Sequence, residues 1–193
     1  MSEILSTLGW VSLGAGVGAF GTLIGAGGGF ILVPVLLLLY PHRSPEQLTA
    51  VSLAVVFANA TSGSLSYFRL RRVDYRSGIV LALATLPGAI LGAIAVGFVP
   101  RRAFDLIMGV ALLLVSLYLL VRPHRSMPWW LDSRFAVSRT LVDSQGVTYQ
   151  YRFNLALAAG LSLGVGFVSS LLGIGGGIIH VPLLTTFFAF PPH

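Results

Sequence analysis

Apolar residues run in five long blocks, at about 8–40, 47–68, 77–98, 103–121 and 154–190, separated by short polar stretches. A helix needs about 20 residues to cross the hydrocarbon layer of a membrane. The three middle blocks fit one crossing each. The first and last are too long for one straight crossing, and each holds a glycine cluster near its centre. Apart from Asp105, at the mouth of the fourth block, no charged side chain lies inside any block. The pattern predicts an all-α integral membrane protein, a polytopic helical bundle.

The first and last blocks are copies of one another. Residues 16–34 read GVGAFGTLIGAGGGFILVP and residues 164–182 read GVGFVSSLLGIGGGIIHVP. At a constant offset of 148, eleven of these nineteen positions are identical. GxGGG followed at a set distance by VP is specific even in glycine-rich apolar sequence. The expected organisation is one four-span repeat plus the first broken helix of a second. Residues 1–122 form the first membrane unit, 123–153 a linker and 154–193 the start of the second unit. If each glycine-broken block crosses once, the even count of spans gives both units the same orientation. If it re-enters, that count fails and the N-terminus moves to the other side.

Composition agrees with a membrane protein. Charged residues are 9% of the 193, against about 25% in soluble domains. The net charge of +6 comes from 12 Arg and 6 acidic residues. Loops 69–76 and 122–153 each carry +3, and the remaining connections nearly cancel. By the positive-inside rule those two loops face the cytoplasm. The basic excess is thus an orientation signal, and no nucleic acid partner is expected. The N-terminal block lacks a basic n-region and is far longer than a signal peptide's apolar stretch of about 7–15 residues, so it reads as a retained membrane segment. The chain has no Cys, which removes disulfides and thiolate metal sites.

Within the linker, Phe135 to Phe153 alternates apolar and polar positions around Asp143-Ser-Gln-Gly146. This reads as a small β-hairpin, and Trp129-Trp130 suits a membrane interface. The segment has neither paired carboxylates nor metal-spaced ligands. A cap joining the two units explains it better than a regulatory site.

The glycine clusters are the leading candidate chemistry. Each Gly costs a helix interior about 0.8–1 kcal/mol relative to Ala. Non-helical backbone at membrane depth is tolerated only when buried in protein or lining a watery cavity. Breaks at matching positions of two repeats are a pointer to a transporter binding site. Half-helices starting near Phe30 and Ile178 would aim unpaired N–H groups into the breaks and favour an anion. The candidate substrate-binding residues are therefore Gly25, Gly27, Gly28, Gly29, Gly173, Gly175, Gly176 and Gly177. Close helix packing through small residues is the competing explanation, since Gly25/Gly29 and Gly173/Gly177 also match GxxxG.

The second block adds a polar stripe containing Ser52, Asn59, Ser62 and Ser66 at helical spacing. Asn59 and Ser62 are substrate-binding candidates, with interhelical hydrogen bonding as the alternative. The other hydroxyls are assigned to interhelical bonding. His180 is the only His inside an apolar block, and its repeat mate is Leu32. An ionisable group at depth is a functional candidate, here for proton coupling. Pro34, Pro87 and Pro182 are expected to kink their helices, and Pro87-Gly88 to admit a close neighbour.

These motifs together resemble the sulfite exporter TauE/SafE family of bacterial membrane permeases. The resemblance rests on GAGGGFILVPVL at 25–36, SLAVVFANATSGSLSYFRLRRVDYRSG at 52–78 and LPGAILGA at 86–93. It extends to TLVDSQGVTYQYRFN at 140–154 and SSLLGIGGGIIHVPLL at 169–184. It implies a multi-pass inner-membrane protein of two repeats that moves sulfite or organosulfur anions. The expected function is a secondary transporter for a small anion, with the lipid bilayer and the anion as partners. No cofactor or metal is called for. No nucleophile–base pair or Walker motif suggests an enzyme. The alternative is a non-transporting fragment or one subunit of a split transporter, with a second chain completing the bundle. It arises because only the opening element of the second repeat is present. A channel is a third, weaker alternative.

Overall fold

A computed structural model of the chain describes residues 2–23, 27–69, 74–121, 136–142 and 148–180. Helices α1 (Ser2–Leu23) and α2 (Gly29–Leu39) occupy the first apolar block. They are followed by α3 (Pro45–Arg69), α4 (Tyr75–Val96) and α5 (Arg101–Val121). Strands β1 (Ala136–Val142) and β2 (Thr148–Asn154) precede α6 (Leu155–Leu172). A helical turn at 177–180 follows. The segments Pro45–Ser66, Tyr75–Val96 and Leu155–Leu172 are long and apolar enough to cross a membrane. The protein is an all-α membrane bundle with one small hairpin.

The helix ends are set by local chemistry. Asp74 caps α4 by accepting from the Ser77 N–H at 3.2 Å. Asn154 ends β2 and caps α6 by accepting from the Leu157 N–H at 3.2 Å. Each satisfies a donor that a helix start leaves free. At the other end of α2, Arg101 supplies donors to unpaired carbonyls. Its Nη2 donates to Leu37 O at 2.8 Å, and its Nη1 to Arg43 O at 2.9 Å. Its Nε is paired with Asp105 at 2.9 Å. A cation at a helix C-terminus also complements the dipole.

The strands pair antiparallel from Ala136↔Asn154 to Val142↔Thr148. They lie within the alternating segment of the linker. Phe153 is fully buried at the base of the hairpin, where it meets α6.

Close approach of α4 and α6 organises the bundle. A Cβ on Gly88 would collide with Leu163 O, one on Gly92 with Phe167 O, and one on Gly166 with Thr85 O. The pairing 88–163 and 92–167 makes the two helices parallel. Small residues let backbones touch where lipid supplies no hydrophobic drive for association. The apolar core lies where α2, the end of α4, the start of α5 and the end of α6 meet. Val33 and Phe104 are fully buried there with Val96, Met108, Leu172 and Ile174. Leu83, Ile90, Leu113 and Leu120 are exposed on α4 and α5, as side chains bathed by lipid should be.

Two faces of the bundle can be told apart. The α2–α3 connection and the α4–α5 turn share one: Glu46 Oε2 lies 3.7 Å from a Cβ built on Gly97, and Arg101 reaches Arg43. The end of α3, the start of α4 and the start of α6 lie at the other. Helix α3 runs from the first face to the second, and α4 and α6 run back.

Candidate functional site

Both glycine-broken blocks double back. In the first, the Gly27 N–H donates to Gly21 O at 3.1 Å, and a Cβ on Gly28 would lie 3.0 Å from Val17 O. Eleven residues of straight helix would separate Val17 and Gly28 by about 16 Å. In the second, Ser162 Oγ and His180 Nε2 are 2.9 Å apart, although eighteen residues of helix would span about 27 Å. The reversals need left-handed backbone, and glycine supplies it. Gly27, Gly28, Gly173 and Gly175 have φ of 72°, 84°, 69° and 76°. Gly173 closes α6 by donating to Ser170 O at 3.3 Å, and the Ile174 N–H donates to Ser169 O at 3.2 Å.

This changes the topology count. An equal orientation of the two units assumed one crossing per broken block. A re-entrant hairpin removes one crossing from the first unit and leaves α3, α4 and α5, an odd number. The two copies therefore enter from opposite faces, as contacts along α3 show. Helix α1 runs with α3: Val17 packs on the Leu32, Leu36 and Leu48 cluster, and Thr22 reaches Asn59. Helix α6 runs against α3 and ends at Thr49 and Ser52. The copies form an inverted repeat with discontinuous helices, an architecture that secondary transporters use.

The two breaks meet each other. A Cβ on Gly29 would sit 2.7 Å from Ile174 O and 2.8 Å from Gly173 O. One face of α3 lines both. Val56 Cγ1 lies 3.5 Å from a Cβ built on Gly27 and 2.7 Å from one built on Gly175. Val56 is almost the middle residue of α3, so the breaks meet near mid-depth of the bundle. A turn above, Ser52 is fully buried and donates to Gly173 O at 2.6 Å. A turn below, Asn59 Nδ2 donates to Gly27 O at 3.3 Å. Asn59 Oδ1 accepts from Thr22 Oγ1 at 3.0 Å. Two carbonyls freed by the breaks are thus occupied by side chains. What a helix start leaves without an internal partner is its first N–H groups, here those of Gly29 and Phe30 on α2.

Most of the predicted site residues come together. Gly27, Gly28, Gly29, Gly173 and Gly175 form the crossing of the breaks, and Gly176 and Gly177 lead into the returning turn. Gly25 lies outside the described residues. Asn59 is at the first break, engaged with its backbone. Ser62 stands nearly one turn beyond it, exposed, and its carbonyl accepts from Ser66 Oγ at 3.3 Å. His180 is at the second break with Ser162. Ser52 and Val56 were not singled out by the sequence. Ser52 belongs to the polar stripe as an interhelical hydrogen-bonding residue, the kind of bond it makes to Gly173 O, and an aliphatic Val in a membrane helix carries no signal. Among the described residues, no group of three or more His, Asp or Glu could hold a metal ion.

Comparison with known proteins yields one family. The family model "Sulfite exporter TauE/SafE" matches residues 10–193. The "Probable membrane transporter protein YunE" of Bacillus subtilis is 31% identical over 188 residues, covering 94% of this chain and 68% of the relative. A "Probable membrane transporter protein" of Methanocaldococcus jannaschii is 25% identical, covering 87% of this chain and 57% of the relative. One of Xylella fastidiosa is 27% identical, covering 90% and 61%. The chain thus spans roughly three fifths of the length of the last two. No solved structure matches.

Proposed function

We propose that this chain, which belongs to the sulfite exporter TauE/SafE family, carries the binding site of a membrane permease for a small anion, sulfite or an organosulfonate. The observation that carries the reading is the meeting of the two breaks, with Gly29 against Gly173 and Ile174 at the level of Val56. The first N–H groups of α2 offer donors and the positive end of its dipole to an anion. Ser52 and Asn59 hold the carbonyls of Gly173 and Gly27, which would otherwise repel it. Asn59 acts by shaping the backbone, and Ser62 would meet the anion on its way along α3. Repeats inverted about a mid-depth site let one hairpin open while the other closes, which is alternating access. Loops 69–76 and 122–153 face the cytoplasm of a bacterial inner membrane by their arginines. The N-terminus and the α2–α3 connection then face outward.

Flux of labelled sulfite in vesicles tests this. Gly28→Leu would strain a left-handed backbone and press on Val17, so it confounds folding with transport. Gly29→Ala is the cleaner variant. Its Cβ must push the breaks apart, and a shift of about 1 Å in a positioned site costs on the order of tenfold or more in rate. Wild-type flux with a tenfold loss in Gly29→Ala, measured at a temperature where a melting curve shows the variant folded, is the expected result. Equal flux in both would remove the breaks from the pathway.

A second reading has this chain act with further helices that complete the inverted repeat. The lengths of the relatives favour it, since the chain covers 57% and 61% of two of them. Sulfite flux from the purified 193-residue chain alone would set that reading aside.

A further inference from the structure

The repeat marks His180 out by contrast. Its mate is Leu32, buried with Leu36 and Leu48. The mate of Ser162 is Gly14, around which a Cβ would meet nothing within 4 Å. At these two positions the first hairpin folds with Leu and Gly. The second carries a hydroxyl and an imidazole, with Ser162 Oγ 2.9 Å from His180 Nε2 and Ser162 only 1% exposed. The other ring nitrogen, Nδ1, lies 3.4 Å from a Cβ built on Gly176. The imidazole therefore sits between α6 and the second break, its Nε2 on Ser162 and its Nδ1 near Gly176. Folding of the hairpin does not demand this pair, since the other copy does without it.

We propose that His180 is the proton site of the transporter, so that each anion crosses with one proton. This rests on the anion reading above. When Ser162 accepts from the Nε2–H, the Nδ1 lone pair is turned to the break and takes the proton. Both nitrogens then donate, Nε2 to Ser162 and Nδ1 toward the anion. An anion alone in an apolar interior is costly, and a cation beside it offsets that cost. On the far side the anion leaves and the imidazolium returns its proton to water. One proton enters with the anion and one leaves with it. Imidazole is the side chain suited to this exchange near neutral pH. Among the described residues, the apolar stretches of the neighbouring helices offer no competing group. Residues 8–23 of α1, all of α2, 47–66 of α3, 77–96 of α4 and all of α6 hold no ionisable side chain. On α5, Asp105 is tied to Arg101, Arg102 is exposed at the helix start, and Tyr118 is three residues from the far end of that helix.

The test uses the purified full chain in liposomes that enclose a pH-sensitive dye. Methanesulfonate, which is ionised throughout and brings no proton of its own, is the probe. The variants His180→Leu and Ser162→Gly copy the residues of the first hairpin, and a melting curve checks that each is folded. In wild type, inward methanesulfonate should acidify the lumen, and flux should rise with external acidity. His180→Leu should lose both the acidification and the pH dependence. Ser162→Gly should keep acidification but shift the pH profile. Wild-type flux without acidification, or a folded His180→Leu that still acidifies, overturns the coupling and leaves the anion reading standing. Absence of any methanesulfonate or sulfite flux in wild type overturns transport, and with it the coupling, by this chain alone.

Discussion

At the scale of single residues, the site depends on who holds the carbonyls that the breaks release. A buried polar group left without its partner costs about 1–3 kcal/mol. Ser52 is fully buried and bonded to Gly173 O at 2.6 Å. Ser52→Ala is therefore expected to lower unfolding stability in detergent by about 1–3 kcal/mol. If the breaks bind an anion as proposed, it should also weaken sulfite binding, because a bare carbonyl would face the anion. A variant with wild-type melting and flux would mean that Gly173 O finds another donor. Asn59 was legible in the sequence as a polar residue in an apolar helix, but its engagement with the Gly27 backbone was not. Val56 was invisible for the opposite reason: its role is purely its position, 11 residues into a 25-residue helix.

At the scale of elements, α4 and α6 are joined by backbone contact at glycine. Gly88→Val would force its side chain into Leu163 O and open the contact. Overpacking of this kind costs about 1–3 kcal/mol. Gly109→Val on α5, where nothing lies within 4 Å, is the control and should change stability by less than about 0.5 kcal/mol. Equal effects of the two in denaturant titrations would show that the α4–α6 contact is not holding the bundle. Pro87-Gly88 announced a close neighbour in the sequence, and Gly166 belongs to the repeat. Gly88 meets Leu163 and Gly166 meets Thr85, and no local pattern encodes which helix answers which.

At the scale of the whole molecule, the inverted arrangement makes a prediction about sides. The chain has no Cys, so single introduced thiols report cleanly. Glu3→Cys and Ser44→Cys should react with an impermeant reagent from the same face of the membrane. Ser138→Cys on β1 should react only from the other. If Glu3→Cys and Ser44→Cys label from opposite faces, the first block crosses the membrane and the repeats are not inverted.

The sequence by itself determined that the chain lives in a membrane, because too few charges are present to solvate a surface. It placed the helices between the arginine-rich loops. It located two equivalent breaks, because GxGGG at an offset of 148 cannot continue a helix cheaply at either place. It left open whether those breaks pass through or turn back, since a glycine permits both. Only the tertiary structure decided that. Left-handed φ at Gly27, Gly28, Gly173 and Gly175 reverses each chain, and α3 then receives the two hairpins from opposite ends on one face. The breaks meet because Gly29 has no Cβ to keep Gly173 and Ile174 away. That is a contact between residues about 145 apart, and packing in three dimensions alone could specify it.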